Sequence, residues 1–218
     1  MRVPRAWGKG GEPMAEAASL PVPYPETGVV AEGTLERQSE VLAASLPERP
    51  VVLGGCCCAH VGAARGLVAR GGRLGVVWLD AHGDLNTPET SPSGNEWGMP
   101  LRMLVDAVVP VEDVALVGAR NLDPPEAEFM VSTGLDDSLD RALEGVDAVY
   151  VALDLDVLDP SEIAVFVPEP DGPSVSQIES ILRDVSARAR VTGIGATGLL
   201  PDETNLPTVT RLLAAAGF

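Results

Sequence analysis

Histidine is nearly missing: His60 and His82 are the only two among 218 residues. A mechanism that needs three imidazoles from one chain is excluded, and acid–base work must fall on other groups. Aromatic residues are few, at 4%, while 45% of the chain is apolar, so Val, Leu and Ala must build the core, as in α/β proteins with buried parallel strands. Basic side chains are also short, with 15 Lys and Arg against 32 Asp and Glu. The resulting net charge of −17 argues against nucleic acid or an anionic membrane as partner. No run of about 18 apolar residues occurs, so nothing reads as a membrane span. The first residues show no apolar segment of the secretory type. Cysteine is confined to Cys56, Cys57 and Cys58, and three consecutive thiols are poor disulfide arithmetic. A reducing compartment, the cytoplasm, is the expected location.

What is present reads as one domain of ordinary size, able to bury a full core without staples. Residues 1–32 hold many Pro and Gly without a period and read as an irregular lead-in. The spacing of Leu35, Leu42 and Leu46 predicts a helix over 33–46. The expected division is therefore a lead-in plus helix over 1–49 and a domain over 50–218. Short apolar runs at 51–55, 75–80, 113–118, 148–156 and 191–197 predict strands. Candidate helices lie near 62–70, 99–107, 140–144, 175–188 and 208–216. Continuous apolar strands alternating with helices imply a parallel sheet covered on both faces.

In such sheets, ligands bind beyond the carboxyl ends of the strands. The run at 75–80 leads into Asp80, Ala81, His82, Gly83 and Asp84, with acidic and imidazole side chains at every second position. The run at 148–156 ends in Asp154 and Asp156 at the same spacing. Carboxylates so close to buried strands are costly unless a cation neutralises them. A single Asp-x-Asp is a common solvated loop or helix cap; two of them, each following a buried-type strand, favour a divalent ion. Mixed oxygen and nitrogen donors suit Mn²⁺. Asp159, before Pro160, reads as a turn residue. The run at 51–55 leads into Cys56, Cys57, Cys58, Ala59 and His60, which read either as metal donors or as small core residues. The polar stretch 86–95 follows the first cluster and can line a mouth above it.

Together these residues resemble the arginase/agmatinase family of ureohydrolases, which are binuclear manganese enzymes. DAHGDLNTPETSPSGNEWGMPL (80–101) is similar to the family signature without a gap, LDLDVLDP (153–160) to its second metal motif, and VLGGCCCAHVGAARGL (52–67) to its GGDHS segment. The resemblance implies a three-layer α/β/α fold and a metal-binding catalytic domain over 50–218. It implies a two-ion Mn²⁺ centre held by Cys57, Asp80, His82, Asp84, Asp154 and Asp156. In it Asp80 and Asp154 bridge the ions, Asp84 serves one, and His82 and Asp156 serve the other. A hydroxide bridging the ions would attack the guanidinium carbon of a small guanidino compound and release urea, with Asp84 the catalytic residue that holds or accepts its proton. Asn86, Ser93, Asn95 and Asp123 would bind the amino-acid end of the substrate, and the protein would be a homo-oligomer.

Four departures qualify that expectation. Cys57 stands where the family has a metal-binding histidine, with His60 a lesser substitute three residues on. Trp97 replaces a histidine that shuttles protons, and Gly198 a glutamate that pairs the guanidinium. The family's first strand is not evident in residues 1–49, and the chain is short. The leading expectation is a hydrolase of arginine-like or modified guanidines. The alternatives are an inactive homologue that serves as a binding or assembly subunit, and a one-metal amide hydrolase on the same fold.

Overall fold

In chain order the computed structural model, which describes residues 1–218, contains β1 (Arg2–Val3), α1 (Glu12–Ala17), α2 (Leu35–Ser45), β2 (Val51–Gly54), α3 (Cys58–Val68), β3 (Leu74–Leu79) and α4 (Pro100–Ala107). There follow β4 (Val114–Val117), α5 (Pro124–Thr133), α6 (Leu139–Ala142), β5 (Ala148–Asp154), α7 (Val175–Arg188), β6 (Val191–Thr197) and α8 (Leu206–Ala215). The six strands form one sheet in the order β1-β2-β6-β5-β3-β4, with every pairing parallel.

Successive strand residues point to opposite faces, and both faces are apolar. Val77, Leu79, Val149, Val151 and Leu153 pack beneath α7 and α8, against Ile178, Leu182, Val185, Leu212 and Leu213. Val76, Trp78, Tyr150 and Ala152 pack on the other face against Leu42, Ala63, Leu67, Leu101 and Leu104 of α2, α3 and α4. The result is the three-layer α/β/α architecture expected. Each fully buried Leu or Ile side chain contributes about 1.5–3 kcal/mol. Helix α7 illustrates the local logic: Ser174 accepts from the Gln177 N–H, the Gln177 side chain accepts from the Ser174 N–H, and Val175, Ile178, Leu182 and Val185 form the buried stripe.

Three expectations need correction. Residues 1–32 are not wholly irregular. They hold α1 and the edge strand β1, whose two residues are too few to give a periodic signal. The Met1 ammonium donates to the Val51 carbonyl at 2.9 Å, and the Gly55 N–H donates to the Val3 carbonyl at 2.9 Å. A first strand thus exists within residues 1–49 and pairs with β2. Helix α3 begins at Cys58, four residues before the expected start, which places Cys57 at its N-cap. Helix α5 was missed because its apolar residues form no clear stripe: Glu126 is its one buried residue, Phe129 and Met130 are only partly buried against the core, and Val131 faces solvent. Its Asp123-Pro124-Pro125 start and left-handed Gly134 stop were the available signals.

Candidate metal centre

Four adjacent strands, β2, β6, β5 and β3, deliver their carboxyl ends to one cavity of about 320 Å³. Cys57 follows β2. Asp80, His82 and Asp84 leave β3. Asp154 closes β5, with Asp156 in the 3₁₀ turn beyond it, and Thr197 ends β6, with Gly198 following it. Cys57, Asp80, His82, Asp84, Asn86, Ser93, Asn95, Asp123, Asp154 and Asp156 all line this cavity, whereas Cys58 and His60 do not.

The donors fall into two groups, each compact enough to share an ion: Cys57, Asp80 and Asp154, and Asp80, His82 and Asp156. Asp80 belongs to both. Asp154, expected as a second bridge, falls in the first group, and its Oδ1 accepts the Asp156 N–H at 3.0 Å. Asp80 is fixed from two directions, accepting from Trp78 Nε1 at 3.0 Å and from the His82 N–H at 2.7 Å. The Ala81 N–H binds Asp156 Oδ1 at 3.0 Å. Asp84 adopts a left-handed backbone, φ 53°, which Asp tolerates better than most residues and which is common where function constrains the chain. Its Oδ2 is buried without any hydrogen-bond partner. A buried, unpartnered carboxylate oxygen beside three more aspartates fits a cation.

The charges lead to the same reading. No Lys or Arg lines the cavity. Burial, then repulsion from Asp80 and Asp154, raises the Asp84 carboxyl well above its usual range. Burial, then Asp154 and Asp80, does the same to Asp156; burial and Asp80 raise Asp154. Burial opposes protonation of His82, but hydrogen bonds and charges from Asp156 and Asp80 override it and push its pKa up to about 12. His82 Nδ1 lies 3.0 Å from Asp156 Oδ2, and Nε2 lies 3.4 Å from Glu169 Oε1. A proton on this ring occupies the place where a divalent ion would do the same neutralising work.

His60 is not a substitute donor. It is buried, with Nδ1 2.9 Å from the Tyr150 hydroxyl and Nε2 3.1 Å from Thr197 Oγ1, and burial lowers its pKa to about 3. Thr197 Oγ1 in turn lies 3.2 Å from both Asp154 Oδ2 and Cys57 Sγ. Because the folded pKa lies below the unfolded value of about 6.5, the unfolded chain binds the extra proton. The associated stability is complete above pH 6.5 and is lost as pH falls towards 3. Against a His60→Gln variant, the wild type is expected to lose about 1.4 kcal/mol more per pH unit across that window. Denaturant unfolding at pH 7, 5.5 and 4 reads this, and parallel pH profiles would show that His60 carries no such linkage.

The loop residues are partly committed to one another. Asn86 Nδ2 donates to Asp123 Oδ2 at 2.8 Å, and Asn86 Oδ1 accepts from Thr90 Oγ1. The Lys9 N–H binds Asn95 Oδ1 at 3.0 Å, and the Glu96 N–H binds the Trp7 carbonyl, so the amino-terminal segment holds this loop. Ser93 accepts from the Asn95 N–H at 3.2 Å. Sequence reasoning missed Glu126, whose two oxygens accept the Leu85 and Asp123 N–H groups, both at 2.9 Å, and so tie α5 to the loop carrying Asp84. It also missed an apolar corner of Met14, Trp97 and Phe166, in which the two aromatic rings meet edge to face at 5.8 Å.

A parallel α/β/α sheet with a carboxylate, imidazole and thiol cluster at its carboxyl edge defines a class of proteins built around a strand-end cation site. The match is narrower than that class: the Arginase family profile covers residues 13–216, and the chain belongs to the arginase family. It is 37% identical over 142 residues to an arginase of Staphylococcus aureus strain COL, an alignment covering 52% of this chain and 47% of the relative. The matched stretch thus spans about half the length of such curated relatives. The crystal structure of arginase from Bacillus subtilis superimposes with a TM-score of 0.82 at 24% identity, covering 98% of each chain. Proclavaminate amidino hydrolase from Streptomyces clavuligerus gives a TM-score of 0.71 at 21% identity, over 98% of this chain and 86% of that one. At these identities the two structures speak for the fold alone.

Proposed function

We propose that this protein is a metal-dependent hydrolase of the ureohydrolase type, cleaving a C–N bond of an arginine-like or modified guanidine. The observation that carries the reading is the sharing of Asp80 between two buried donor groups, with the unpartnered Asp84 Oδ2 beside them. Cys57, Asp80 and Asp154 would hold one divalent ion, and Asp80, His82 and Asp156 the other, with manganese the expected metal of the oxygen- and nitrogen-rich group. Such ions supply a water that is acidic enough to be nucleophilic near neutral pH and polarise the bond under attack.

The chain's own residues do the rest. The acidic cavity attracts a cationic substrate. Asp123, braced by Asn86, offers a carboxylate to an amino group, and Ser93 and Asn95 flank the mouth. Met14, Trp97 and Phe166 form a wall that excludes water. In this reading Asp84, whose Oδ2 is buried and unpartnered, would take a proton from the nucleophile and pass it to the departing nitrogen. Trp97 cannot shuttle protons and Gly198 cannot pair a guanidinium, so arginine itself should be handled poorly and a less ionic guanidine better.

No helix is long and apolar enough to cross a membrane. We place the protein in the cytoplasm on its three free cysteines, as a homo-oligomer. The test is urea release by purified, manganese-loaded protein from arginine and from N-substituted and ureido analogues, with elemental analysis and solution mass on the same sample. The expected result is bound divalent metal and faster turnover of a modified guanidine than of arginine. Absence of bound metal would refute the reading, and bound metal with no turnover of any guanidine or amidine would favour an inactive homologue.

A further inference from the structure

We infer that the two donor groups differ in the metal they take: Cys57, Asp80 and Asp154 form a thiolate-containing site for a softer ion of the zinc, cobalt or iron(II) class, while Asp80, His82 and Asp156 take manganese. The inference rests on the reading of the cavity as a metal centre, and goes beyond it by assigning a different ion to each half.

Three observations support the assignment. First, Cys57 Sγ lies 2.8 Å from Asp154 Oδ2 and 3.7 Å from Asp80 Oδ2, so sulfur and two carboxylates converge on one spot. All three residues are buried, and the other group contains only oxygen and nitrogen. Second, the neighbouring thiols do not share this position. Cys58 Sγ turns to the Glu96 carbonyl at 3.5 Å and packs with Met14 and Cys56 in a small apolar cluster. A run of three cysteines thus presents one sulfur to the carboxylates. Third, Cys57 stands at the N-cap of α3 without capping the helix amides through its side chain, which leaves the sulfur turned to the carboxylates. On binding, the thiol proton leaves to solvent and the thiolate ligates. Thiolate selects softer ions, whereas carboxylate suits manganese. A plain buried thiol would satisfy the first observation with one hydrogen bond to Asp154. It would leave four aspartates facing one imidazole, with no second cation to discharge them.

Cobalt(II) is the probe, because thiolate ligation produces an intense near-ultraviolet charge-transfer band that oxygen and nitrogen ligation does not. The full-length wild type titrated with cobalt is expected to show this band, and Cys58→Ser to keep it. Cys57→Ser should lose it, and Cys57→His should bind cobalt without it, which separates loss of sulfur from loss of fold. In mixed zinc and manganese, Cys57→His should lower the zinc preference of that site about tenfold or more. Cobalt bound without the band in the wild type would overturn the inference and leave the proposed function standing. A band persisting in both Cys57 variants would overturn it as well, by assigning the sulfur to another cysteine. Failure of the wild type to bind manganese, zinc or cobalt would overturn both readings.

Discussion

Asp80→Asn is expected to remove both metals at once and to lower hydrolysis about 10³-fold or more, the several kcal/mol that polarisation by a bound ion contributes at tenfold per 1.4 kcal/mol. The size of the effect comes from sharing. Asp80 is the one residue present in both donor groups, whereas Asp156 and His82 serve one and Cys57 and Asp154 the other. Asparagine also fits its surroundings badly. Two donors, Trp78 Nε1 and the His82 N–H, point at the two Asp80 oxygens, and an amide can accept from only one of them. The other donor would face an NH₂ group, at a cost of about 1–3 kcal/mol for a buried polar group left unpaired. The informative comparison is with Asp156→Asn, which should retain the metal of the Cys57 group. Elemental analysis should read near zero for Asp80→Asn and an intermediate value for Asp156→Asn. Manganese should raise the melting temperature of the wild type through preferential binding to the folded state, and leave that of Asp80→Asn unmoved. If Asp80→Asn holds as much metal as Asp156→Asn, the two groups do not share that carboxylate.

The strands were legible because parallel strands buried on both faces leave continuous apolar runs, and the acidic ligands because Asp at the end of such a run has no cheap explanation. Asp80, Asp84, Asp154 and Asp156 could be read in this way from spacing and context. What escaped was set by contacts far apart in sequence. Glu126 sits on α5, a helix whose apolar side chains are at most partly buried, and its importance rests on two backbone donors, one of them on the distant Leu85. β1 is two residues long, and only its pairing with β2 makes it a strand. His60 lay near the cluster in sequence but is turned towards Tyr150 and Thr197, a choice fixed by side chains about 90 and 137 positions away. The resemblance to arginases located Gly198 as a missing glutamate; it could not show that this position has no room for one.

Restoring that glutamate is therefore expected to fail. Gly198 has φ +76°, a left-handed conformation that costs an L-residue other than glycine roughly 1–2 kcal/mol. A β-carbon there would lie 2.8 Å from Asp154 Oδ2, 2.7 Å from Asp154 Cγ and closer still to Asp154 Oδ1. The backbone cannot easily move aside, since the Gly198 carbonyl accepts the Phe166 N–H at 2.9 Å and the Gly198 N–H reaches the Gly55 carbonyl at 3.4 Å. The carboxylate of Asp154 must yield instead, and that carboxylate belongs to the Cys57 group. Gly198→Ala alone should then lose the metal of that group, keep the His82 group's metal, and destabilise the fold by about 1–3 kcal/mol. Gly198→Glu should show the same losses and no gain in urea release from arginine, although it restores the charge an arginine-binding pocket needs. Metal content, unfolding midpoint and the arginine assay on the two variants separate the contributions: backbone strain appears in both, and any benefit of the carboxylate only in the second. A rise in arginine turnover in Gly198→Glu would show that the backbone relaxes and that one residue sets substrate choice. The geometry favours the opposite result, in which the absent guanidinium partner and the position of Asp154 are two sides of one arrangement, and a pocket for arginine would require both to change together.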